Sequence, residues 1–140
     1  MRRLIAMTTL LAAVAFPAVA FGLLGDELKI TDHGTTAFVT TTSSGGQAVE
    51  LDYKYSGLGS QTVTITVTSS FSCTNNGGNN PPGQLSGSSG PIQPENGNVT
   101  GTIVTNAASC PDHMQANIGP GVLVTITLAD GSSRQFPYTV

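Results

Sequence analysis

No helix accommodates the run from Val63 to Cys73. Val63, Ile65, Val67, Phe71 and Cys73 fall on one side of an extended backbone, and Thr62, Thr64, Thr66, Thr68 and Ser70 fall on the other. Side chains in a strand alternate between faces, so this run predicts a strand with one face against a core and the other in water. The same period carries Cys73 onto the apolar face, where a bridge across a sandwich would lie, which marks it as structural.

Other stretches repeat the pattern. Val49, Leu51, Tyr53 and Tyr55 alternate with Glu50, Asp52, Lys54 and Ser56, a half-buried strand with a charged outer face. Ala37–Thr42 is a strand stopped by Ser43-Ser44-Gly45-Gly46, and Gly57-Leu58-Gly59-Ser60 reads as a hairpin connection. Residues 84–90 are Ser/Gly-rich and weakly patterned, which suits an edge strand, punctuated by Pro91, Pro94 and the Asn96-Gly97 turn. Residues 99–105 form a further strand, and 106–121 a long connection. The chain closes in a hairpin: Val122, Val124, Ile126 and Leu128 share a face, Asp130-Gly131 turns, and Phe136, Tyr138 and Val140 face inward. About seven strands at short spacing, with no helical period after the N-terminus, predict an all-β, antiparallel, immunoglobulin-like β-sandwich with one disulfide, or alternatively a small barrel. Trp is absent and the cysteines are placed unlike those of antibody domains, so only the architecture is expected to be shared.

Met1-Arg2-Arg3 is a basic start, Leu4 to Val14 an apolar run, and Pro17 with Ala18-Val19-Ala20 a small-residue cleavage site, so residues 1–20 read as a signal peptide. Cleavage after Gly22, or an uncleaved anchor reaching Leu24, are the alternatives weighed. Residues 21–36 are an N-terminal lead-in without sustained period, able to hold a short turn of helix, and 37–140 the β-sandwich domain. Without Arg2 and Arg3, three basic side chains face eight acidic ones, a formal charge of −5. That charge disfavours nucleic acid and anionic lipid as partners, and no membrane association is expected after cleavage. Extracellular localisation follows, and with an even count of two cysteines an oxidising compartment favours a Cys73–Cys110 disulfide over a metal pair, since thiolates this far apart lack zinc-site clustering.

From Cys73 to Gln84 the chain reads Cys-Thr-Asn-Asn-Gly-Gly-Asn-Asn-Pro-Pro-Gly-Gln. Asn and Gly tolerate positive φ and Pro81 and Pro82 remove donors, so a surface loop that no sheet ladder crosses is expected. This stretch resembles the C-x-N-x-G-G-N-x-P-P-G-Q signature of small secreted β-rich proteins of unknown function from high-GC Gram-positive bacteria, with Cys110-Pro111 as the accompanying later Cys-Pro. The resemblance implies secretion and one disulfide, and no activity or ligand.

Catalysis lacks a framework. His33 and His113 are the only histidine bases, neither in a catalytic motif, so no enzyme and no cofactor is expected. Asp32-His33 and Asp112-His113 could offer a metal four ligands only if their loops met, and no metal site is assigned. Tyr53, Tyr55 and Tyr138 sit in core-facing registers, so aromatic glycan platforms are not expected. The Thr62–Thr68 ladder is similar to ice-binding threonine arrays, but Thr equally suits any wet strand face. Asn98-Val99-Thr100 has the form of a glycosylation sequon. What remains is a secreted, non-catalytic structural or interaction module; the sequence names no partner, and a cell-wall glycan or a surface protein are the candidates. The alternative is a small-ligand, glycan or metal-binding domain. Asn75, Asn79 and Gln84 are the candidate contacts, because their amides donate and accept without charge on a stapled loop.

Overall fold

A computed structural model describes residues 29–75, 77 and 81–140. Residues 1–28, which include the expected signal peptide, and Asn79 of the candidate contacts lie outside the described residues. Eight strands form two antiparallel sheets: β1 Thr31–Asp32, β2 Thr36–Thr41, β3 Gln47–Ser56, β4 Val63–Thr74, β5 Pro82–Ile92, β6 Val99–Val104, β7 Gln115–Leu128 and β8 Ser133–Thr139. In the first sheet β3 is central, with β6 along one edge and β1 and β2 along the other. The second sheet runs β5-β4-β7-β8.

Alternation explains the packing. Val49, Leu51 and Tyr55 of β3, Val63, Ile65 and Val67 of β4, Leu85 of β5, and Val124 and Ile126 of β7 are fully buried in one core between the sheets. Burying each such aliphatic side chain is worth about 1.5–3 kcal/mol, so the odd positions of β4 hold the second sheet on the first. The Cys73–Cys110 disulfide forms, with Cα atoms 5.6 Å apart. It ties β4 to the β6–β7 connection and does not run strand to strand across the sandwich. The strand orders establish the two-sheet antiparallel plan, and the immunoglobulin-like type is a finer assignment than they supply.

Several expectations are corrected. Residues 57–60 are not a hairpin, because β3 and β4 belong to different sheets; the connection crosses over the core edge and buries Leu58 there. The lead-in contributes structure: Ile30 enters the core, and Thr31 and Asp32 pair with Ser56 and Tyr55. The second long connection ends at Met114, seven residues before the position expected, because Gln115–Ile118 pair with Thr74–Phe71 of β4. Val140 is exposed, since no strand of the first sheet covers it.

The Cys73–Gln84 stretch is also corrected. It closes a β4–β5 hairpin whose ladder does enter the motif, with Ser72 opposite Pro82, Phe71 opposite Gly83 and Ser70 opposite Gln84. Edge position makes Pro82 tolerable there. The inward positions of β5 are Gly83, Leu85 and Gly87, so its core face lacks the apolar signal that normally announces a strand. A Cβ on Gly83 would overlap the Phe71 ring directly opposite. On the first sheet's edge, a Cβ on Gly101 would likewise overlap the Tyr53 hydroxyl. The edge strands β5 and β6 therefore each carry a glycine where an aromatic of the central neighbour lies across it.

Candidate interaction surface

The outer face of the second sheet is assembled from positions the core rejects. Across its four strands it presents Gln84, Ser86 and Ser88 of β5, Thr64, Thr66, Thr68 and Ser70 of β4, Leu123, Thr125 and Thr127 of β7, and Ser133, Gln135 and Pro137 of β8. The alternation of the strands, fixed by the buried set, turns these side chains outward. None carries a charge. The outer face of the first sheet differs, with Glu50, Asp52 and Lys54 along β3 and exposed Phe38 and Val104 on its neighbours.

The hydroxyls are partly knitted together. Thr66 Oγ1 donates to Thr125 O at 3.3 Å, Gln135 Nε2 to Thr125 Oγ1 at 3.4 Å, and Asn117 Nδ2 to Thr74 Oγ1 at 3.0 Å. Each hydroxyl has two acceptor lone pairs as well as its proton, so capacity remains for an outside partner.

Of the sequence candidates, the structure puts Gln84 on this face, exposed and opposite Ser70. Asn75 is half-buried at the hairpin end and its Oδ1 accepts the Gly77 N–H at 2.9 Å, an Asx turn that shapes the loop. Cys73, 3% exposed, anchors the same end, its N–H donating to Pro81 O at 3.0 Å. Asn75 and Gln84 thus have different settings, one holding the turn and the other extending the neutral face. The face itself was legible only as the Thr62–Thr68 alternation; its extent across four strands needs the register.

Titratable groups meet at the opposite end. Asp32 Oδ1 accepts the N–H groups of Gly34 and Thr35 at 3.1 and 2.8 Å, and Oδ2 accepts the Tyr138 hydroxyl at 2.9 Å. Because a carboxylate only accepts, the Tyr138 proton points to Asp32 and Tyr55 donates to the Tyr138 oxygen at 2.7 Å. Burial opposes charge on Asp32, but the hydrogen bonds from Thr35, Tyr138 and Gly34 outweigh it and hold the carboxyl below its usual value. Burial first, then the hydrogen bonds with Tyr55 and Asp32, push the Tyr138 phenol far up; burial also raises Tyr53 and Tyr55. Such a cluster resists ionisation of its phenols and clamps one sheet to the other.

His33 Nε2 and Ser56 Oγ lie 2.6 Å apart, a pairing the sequence did not announce. Both oxygens of the adjacent Asp32 are committed to Gly34, Thr35 and Tyr138, and the imidazole is exposed. Among the described residues no three His, Cys, Asp or Glu side chains converge as a metal site. A cleft of about 470 Å³ lies around the Asn96-Gly97 turn, lined by Gln93, Glu95, Asn96 and Asn98, and its Gln93 amide already donates to Ser60 O at 2.7 Å. Among the described residues no helix is long and apolar enough to cross a membrane.

No family model matches the chain, and no curated protein matches it. Among solved structures, the chain is similar to the X-ray structure of Northeast Structural Genomics Consortium target SoR45, at 15% identity over 79% of this chain and 81% of that one. The TM-score is 0.29, too low for the likeness to carry any argument.

Proposed function

We propose that the protein is a secreted, non-catalytic interaction module whose neutral outer face on the second sheet lies against a hydroxyl-rich, uncharged cell-surface glycan. The observation that carries this reading is the segregation of charge. A chain with a net acidic exterior keeps four adjacent strands free of charge on one side. Hydroxyls and amides at regular strand spacing exchange hydrogen bonds with sugar hydroxyls directly or through water, without the desolvation cost of a buried charge. Secretion is supported by the disulfide, which oxidising compartments sustain. The Asp32–Tyr138–Tyr55 cluster supports a structural reading over a catalytic one, since its groups satisfy one another across the sheets.

The test measures retention of the purified protein on isolated wall polysaccharide. Thr68→Lys with Ser86→Lys places two charges on the face, and the expected result is retention lowered at least tenfold at unchanged melting temperature. Unchanged retention in that variant, with loss on Asn75→Ala alone, would move recognition to the hairpin loop. No retention of the wild-type chain would remove the reading.

A further inference from the structure

Strand β7 is longer than the strand that covers it. β4 pairs with β7 from Gln115 to Leu128, whereas β8 pairs with it only from Gly121 to Thr127, with a last contact from Val140 N–H to Pro120 O. Along Gln115–Gly119, roughly 17 Å of strand at 3.3–3.4 Å per residue, no strand among the described residues lies beside β7 on the side away from β4.

This bare edge opens into a groove. Its walls are Val39, Gln47, Gln115, Ala116, Asn117 and Ile118, around a volume of about 260 Å³. A second hollow of about 330 Å³ shares Gln47, Gln115 and Ala116 and reaches the disulfide at Cys110. Val39 has the inward register of β2, opposite the buried Val49, yet is 41% exposed because β8 does not extend over it. Natural sheets guard open edges with charge, proline or a covering element; Gln115, Ala116, Asn117, Ile118 and Gly119 contain neither charge nor proline.

We propose that the open edge of β7 is a strand-accepting site for an extended, uncharged peptide with apolar residues at alternate positions. The peptide runs antiparallel to β7, in line with β8, and its main chain takes the hydrogen bonds that β8 supplies further along. Alternate side chains enter between the sheets against Val39, Ala116 and Ile118; the others face water beside Asn117. Charged residues in the peptide's central positions are rejected, since no charged side chain lines either hollow. This site is separate from the neutral outer face and does not depend on it.

Amide hydrogen exchange on the disulfide-intact protein tests the site. The probe is a capped Thr-Val-Thr-Val-Thr-Val peptide, and the control is the same peptide with alternate amides N-methylated on its pairing edge. Saturating probe should slow exchange at least tenfold at those residues of 115–119 whose N–H points away from β4, and the control should not. No slowing with the probe, equal slowing with both peptides, or slowing confined to another edge would each overturn the proposal.

Discussion

Tyr138 donates its hydroxyl proton to Oδ2 of Asp32 across 2.9 Å, joining the edge strand of one sheet to the two-residue strand β1 of the other over a sequence separation of 106. Tyr55 extends the bond into the core, stacking 6.4 Å from Tyr53 and packing 5.2 Å from Phe136, which also carries the Arg134 guanidinium on its face. The lead-in segment is thereby held by chemistry, since a two-residue strand alone offers little ladder.

This cluster contributes to the pH dependence of stability at both ends of the range. Asp32 is held below its ordinary value of 3.8, so its contribution is fully present above that value and is lost as pH falls through the folded pKa. The tyrosines are raised above 10.0, so theirs is fully present below that value and is lost as pH rises through the folded pKa. Denaturant titrations across pH should show stability falling at both extremes, with phenolate absorbance in the alkaline limb appearing together with loss of the β signal. Asp32→Asn keeps an Oδ1 for Gly34 and Thr35 and should flatten the acid limb, and it should also reduce the alkaline limb, because the carboxylate that helps hold the Tyr138 phenol up is gone.

Removing the Tyr138 hydroxyl should cost more than one ordinary hydrogen bond. Tyr138→Phe leaves Tyr55 without its acceptor and Asp32 without one donor in a half-buried site, an expected loss of about 1–3 kcal/mol by denaturant unfolding. A double-mutant cycle with Tyr55→Phe should show coupling, because the second hydroxyl has already lost its partner.

The edge glycines should resist a single methyl. Gly83→Ala and Gly101→Ala force Phe71 and Tyr53 off their present positions, for an expected destabilisation of about 1–3 kcal/mol each. Gly121→Ala, where an added Cβ meets nothing within 4 Å, is the control and should be neutral or slightly stabilising. Combining Gly83→Ala with Phe71→Leu should recover part of the loss in chemical denaturation.

Reduction of the disulfide should lower the melting temperature without abolishing the sheets. A closure between residues 37 apart is worth roughly 4 kcal/mol on the chain-entropy model, or about 10–20 °C for a domain of this size. Calorimetry with and without reductant checks this; an unchanged transition would mean that Cys73 contributes by packing alone.

Much of the core was legible because burial follows period two. The odd positions of β3 and β4 and the even positions of β7 announce their inward faces in the sequence, and Cys73 inherits its setting from the strand that carries it. The same alternation marked the threonines of β4 as outward, although not the neutral face they share with β5, β7 and β8.

Sequence alone determined the inward positions of β3, β4 and β7, since side-chain polarity and alternation are local properties of each strand, whereas the burial of Ile30 and Leu58 and the exposure of Val140 were not legible in it. It also identified the two cysteines that pair. Tertiary structure decided what lies beside what. Strand β5 was obscured because its inward glycines owe their smallness to Phe71 on another strand and to the close approach of β6. The crossing at Gly57–Ser60 looked like a hairpin because turn residues specify reversal of the chain and not the sheet that receives it. Asp32 and Tyr138 gave no joint signal, being 106 residues apart and adjacent only once both sheets are packed. The bare edge of β7 likewise exists only as a difference in length between two strands, a quantity set by where their partners end.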